Sequence, residues 1–101
     1  MNPLRFIVEA REEIDAIYDD YESRSAGLGD RFLDQLTIQA NRITHNPHLY
    51  GIVRGAVRAA MIPRFPHIIY YRIDTNETIV LAVLHYRQSS RTWWVRRSRL
   101  F

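Results

Sequence analysis

Residues 79 to 84, Ile-Val-Leu-Ala-Val-Leu, are apolar at every position. A strand with one wetted face alternates apolar and polar side chains, whereas a consecutive apolar run has both faces out of water. The segment 78 to 86 (TIVLAVLHY) therefore predicts a central strand. One of its faces must lie under other elements, and something must also cover most of the second.

The material for the first face lies in the amino-terminal half. Ala10, Ile14, Ile17, Tyr18 and Tyr21 recur at helical spacing, with Glu12, Glu13, Asp15, Asp19, Asp20 and Glu22 over the rest of the circumference. The acids read as a solvated outer face that also suits the positive end of the helix dipole. Ser23 to Gly29 (SRSAGLG) breaks the pattern. Phe32, Leu33, Leu36, Ala40 and Ile43 then form a second amphipathic run, ending before Pro47 because a residue preceding proline is pushed out of the α region. The two runs predict a helical hairpin.

The remaining segments read as strands. Residues 3 to 8 (PLRFIV) predict a first strand with Leu4, Phe6 and Val8 on one side. From Ala56 the period becomes two, with Val57, Ala59 and Met61 alternating with Arg58, Ala60 and Ile62 up to Pro63. Residues 67 to 73 (HIIYYRI) form another β-branched and aromatic run, joined to the central strand by a turn at Asp74 to Glu77. The expected order is β-α-α-β-β-β plus a carboxy-terminal tail: an α+β fold with the helical hairpin on one face of a mainly antiparallel sheet.

At 101 residues and 47% hydrophobic content, one domain spanning 1–101 is expected, with a core that needs no staple. The absence of cysteine removes disulfides, thiolate metal sites and a cysteine nucleophile, and suits a reducing, cytoplasmic setting. Residues 1 to 8 fit neither a secretory signal nor a membrane span, so a soluble protein is expected. Charge is divided along the chain: residues 1 to 34 hold nine acids and four arginines, residues 35 to 101 two acids and ten arginines. All basic residues are arginine, the side chain that pairs bidentately with carboxylate or phosphate and stacks on rings.

Several stretches, taken in order, resemble the ParE/RelE toxin superfamily of type II toxin–antitoxin systems. Ala10 to Tyr21 resembles the family's first helix; Phe32, Leu36 and Ile43 followed by Asn46-Pro47 and Tyr50-Gly51 resemble its second helix and exit. Arg58, Phe65-Pro66, Ile69 and Tyr71 are similar to its middle strands, and Ile79 to His85 with Arg87 and Trp93 to its last strand and the segment after it. The phenylalanine-proline pair, the absence of lysine, and His67 at a position where RelE-like nucleases often carry arginine favour the ParE branch, a plasmid-stabilisation type of toxin. That resemblance implies inhibition of DNA gyrase without catalysis, and a hetero-oligomer with a ParD-like antitoxin whose acidic, initially disordered segment folds on binding. The alternatives it leaves are a RelE-like nuclease cutting mRNA on the ribosome, and a non-toxic homologue that keeps only antitoxin binding.

For the nuclease alternative, attack by a 2′-hydroxyl requires an acid, a base and cations at the phosphate. His67, His85, Arg64, Arg87 and Tyr86 could supply them, although a histidine ending a buried strand is more commonly a structural residue. His45 and His48 straddle a helix end and do not share a face as a metal pair would; neither metal nor cofactor is expected. In the tail, Arg87, Arg91, Arg96, Arg97 and Arg99 interleave with Trp93 and Trp94, a combination used in protein interfaces and nucleic-acid platforms. Arg58, Arg87, Arg91, Trp93, Trp94, Arg96 and Arg97 are the expected partner-binding residues, with the alternative that Trp93 caps the sheet.

Overall fold

A computed structural model describes residues 3–88 and 90–98 of the chain; Arg99, Leu100 and Phe101 of the tail lie outside the described residues. The elements follow as β1 (Leu4–Phe6), α1 (Val8–Arg24), α2 (Leu28–His45), β2 (Ile52–Arg54), β3 (Val57–Met61), β4 (His67–Ile73), β5 (Thr78–His85) and α3 (Arg91–Trp94). The strands form one sheet in the order β1-β5-β4-β3-β2. Strand β1 runs parallel to β5 and every other pairing is antiparallel. The α+β class and the helical hairpin stand as expected. Two elements were not foreseen: the edge strand β2 and the short helix α3.

The first strand is shorter than its alternation suggested. It stops at Phe6, and Ile7 is the buried residue while Val8 is 55% exposed in the first turn of α1. Ile7 donates its N–H to Val80 O and accepts from Arg11 N, so the chain turns straight from ladder to helix. That turn takes Val8 off the sheet.

Helices α1 and α2 cross closely at Gly29. A Cβ there would lie 2.7 Å from Glu22 Cγ and 2.8 Å from Tyr18, so only glycine fits. The Glu22 carboxylate accepts N–H bonds from Gly27 (3.2 Å) and Gly29 (2.8 Å), capping the start of α2 from the neighbouring helix. Phe32, Leu36 and Ile43 are buried beneath it against the sheet.

Strand β5 is buried from Thr78 to Leu84, as its apolar run requires. His67, Ile69 and Tyr71 of β4 face the helices, and the Tyr71 hydroxyl donates to Pro47 O at 2.7 Å. Tyr70, between them, faces the other way. There the Trp93 ring stacks on it at 5.0 Å and 22°, so α3 covers the second face.

The β5 edge beyond β1 demands a separate solution. Strand β1 ends opposite Val80, and a bulge leaves Leu81 out of register with β4. Arg96 Nη1 donates to Leu81 O (3.0 Å), Glu13 Oε1 accepts from Val83 N (3.1 Å), and Gln88 Oε1 accepts from His85 N (2.7 Å). Side chains from α1 and the tail thus stand in for a missing strand. Glu13 and Arg96 also pair with each other at 3.1 Å, with side chains only 19% and 14% exposed.

Glu13→Ala should therefore lower stability by about 2–3 kcal/mol, since it strands a mostly buried guanidinium and a main-chain N–H together. Asp20→Ala, which breaks an exposed pair with Arg24, should change it by less than about 0.5 kcal/mol. Urea denaturation of both variants tests the contrast.

Candidate functional site

The histidine pair sits at one end of the β4–β5 ladder. His67 and His85 are directly opposed in the register, with ring centroids 5.5 Å apart and nearly perpendicular. They open on a cavity of about 200 Å³ lined also by Ile17, Asp20, Tyr21, Arg24 and Pro66. His67 is 7% exposed and packs edge-on against Tyr21 and Phe32, and its Nδ1 has no partner among the described residues. Burial first, and then the neighbouring His85, push its pKa down from 6.5 to about 4. His85 stacks on Tyr86 and accepts the Arg87 N–H at Nδ1, while Arg87 Nε donates to the Tyr86 hydroxyl.

Four of the five nuclease candidates are thus neighbours; Arg64 is not among them. It occupies the turn between β3 and β4 with φ +69° and lines a different cavity of about 430 Å³ with Leu28, Arg31, Asp34, Gln35 and Phe65. At neutral pH His67 is uncharged, so it cannot donate the proton a leaving group needs. No group of three or more ligating side chains among the described residues is placed to hold a metal ion.

The arginines and tryptophans of the tail divide by surroundings. Trp93 is 3% exposed and serves the core. Arg96 is taken up by Glu13 and Leu81 O, and Arg58 donates to Tyr50 O at 2.7 Å and His48 O at 3.4 Å, tying the segment after α2 to β3. Arg87, Arg91 and Arg97 are exposed. Trp94 lies over the β2–β3 turn, where Gly55 (φ +56°) leaves room: a Cβ would come within 3.1 Å of the ring. Guanidinium carbons of Arg54 and Arg97 each lie 3.7 Å from the Trp94 ring centroid. Arg54 escaped the sequence reading. The Ile52-Val53-Arg54-Gly55 stretch carried only a weak turn signal at its glycine, and two apolar residues are too few to show a period.

A helical hairpin laid on one face of a mostly antiparallel sheet, with a short carboxy-terminal helix over the other, defines a small α+β domain. The chain matches the family model described as ParE toxin of type II toxin-antitoxin system, parDE, over residues 4–89. It belongs to that family. A solved structure, the chromosomal ParDE toxin–antitoxin system from P. aeruginosa, shares the fold with a TM-score of 0.75 at 19% identity, over 84% of this chain and 96% of that one. No curated protein matches the chain. Among the described residues, no helix is long and apolar enough to cross a membrane.

Because folding lowers the His67 pKa, the unfolded chain binds more protons than the native one between about pH 4 and 6.5. The stabilisation is complete above pH 6.5 and is lost as pH falls through that window, by about 3 kcal/mol at most. His67→Phe should remove this component, so wild type and variant should differ in how steeply their denaturation midpoints fall between pH 7 and 4.5.

Proposed function

We propose that this toxin acts by binding DNA gyrase and stabilising its cleaved-DNA intermediate, without chemistry of its own, and that a ParD-like antitoxin neutralises it in a cytoplasmic hetero-oligomer. The observation that carries this reading is the match to the ParE family over residues 4–89. Two features of the structure support it. His67, buried and uncharged at neutral pH, is poorly suited to protonate a leaving group, and the fifth nuclease candidate, Arg64, lines a different cavity. The tail carries exposed arginines suited to an acidic partner. Purified protein at saturation should block gyrase supercoiling while a translation extract receiving the same preparation continues; undisturbed supercoiling removes the reading.

A second reading rests on the opposed histidines. His67 presents an unpartnered ring nitrogen beside His85, Tyr86 and Arg87, a grouping that supports acid–base chemistry at an mRNA phosphate as the rival reading. In that case translation stops first, and His85→Gln abolishes toxicity while leaving the circular-dichroism spectrum unchanged. A fully toxic His85→Gln protein excludes it.

A further inference from the structure

Strand β2 ends the sheet, with no strand beyond it among the described residues. Its three residues are all exposed, Ile52 at 56% and Val53 at 52%, and Leu49 just before it is 63% exposed. An edge with unpaired main-chain groups and apolar side chains is a template for another extended chain. Three residues supply few ladder bonds, so anything that docks there needs further contacts.

Those contacts are present at the end of the strand. Arg54, its last residue, and Arg97, beyond α3, both stack on Trp94 at 3.7 Å. Neither enters an ion pair among the described residues; Arg97 gives one N–H to Trp94 O. Stacking holds both cations in place before any partner arrives, which reduces the entropy lost on binding. In an extended chain, side chains on one face recur every second residue, so alternate acids present their carboxylates to one side.

We infer that the β2 edge receives an extended acidic protein segment as an added strand, with carboxylates on its alternate residues paired to Arg54 and Arg97. The apolar Ile52 and Val53 favour β-branched residues between the acids. This deepens the antitoxin reading, on which it rests for the partner's identity, by naming where its acidic segment lies. The chemistry itself requires only an alternating acidic strand.

The test uses the full chain and a short labelled peptide of alternating threonine and glutamate, followed by fluorescence anisotropy. Controls are a peptide of the same composition with its glutamates in one block, and single-stranded oligothymidylate. The alternating peptide should bind at least ~10-fold more tightly than the blocked one, and Arg54→Gln or Arg97→Gln should each weaken it at least ~10-fold, since both side chains are at the surface and leave the core intact. Equal binding of the two peptides, tighter binding of oligothymidylate, or undiminished affinity in both variants overturns the inference. The same variants are then titrated with the antitoxin. Failure of wild-type protein to bind it rejects the antitoxin reading, whereas full-strength binding by both variants rejects only the β2 site.

Discussion

The structure depends on how the main chain of β5 is satisfied. This strand carries the most apolar sequence in the protein and lies inside the sheet, yet β1 accompanies it only as far as Val80. Past that point its open edge is closed by side chains: Arg96 on Leu81 O, Glu13 on Val83 N and Gln88 on His85 N. Each of these groups would otherwise be a buried or half-buried polar atom without a partner, at a cost of about 1–3 kcal/mol apiece. The closure also joins three parts of the chain far apart in sequence, since Glu13 comes from the first helix and Arg96 from the last described turn.

This arrangement explains why the tail contributes to two layers at once. Trp93 turns inward to cover Tyr70, on the sheet face that the helical hairpin does not reach. Trp94, next in sequence, points towards the β2–β3 turn and organises Arg54 and Arg97 around its ring. Successive residues on a short helix project in different directions, so one four-residue element serves both core and surface. The basic surface therefore rests on the fold it helps to complete. A change that releases Arg96 from Glu13 would loosen the arginine–indole stack as well as the core.

Much of the fold was legible because it follows from periodicity. Ala10, Ile14, Ile17 and Tyr21, then Phe32, Leu36 and Ile43, marked the two helices, and the run from Ile79 to Leu84 marked the buried strand. Local patterns failed where two signals competed. Leu4, Phe6 and Val8 alternate as a strand should, but the hydrogen bond from Arg11 N to Ile7 O draws Val8 into a helix instead. Strand β2 is too short to show a period, and α3 is a single turn whose only advertisement was a pair of tryptophans. The candidate site was less legible still. Histidines 67 and 85 were both noted, and their direct opposition depends on the register set by the β4–β5 bulge. Arg64, grouped with them on proximity in sequence, points into another cavity because a positive-φ turn redirects the chain.

From the sequence alone came the class of fold, the helical hairpin, the central strand with two covered faces, and a chain acidic in its first third and rich in arginine thereafter. Those properties depend on residue type and spacing, which act locally or through simple burial. Tertiary structure alone decided which arginines are spent internally and which remain at the surface. Arg58 and Arg96 meet carbonyls and a carboxylate contributed by other elements, whereas Arg54 and Arg97 stack on the Trp94 ring at the surface. The reason is geometric: the partners of Arg58 and Arg96 lie within a few ångströms in space but between 8 and 83 residues away along the chain. No pattern in the linear order encodes that distance.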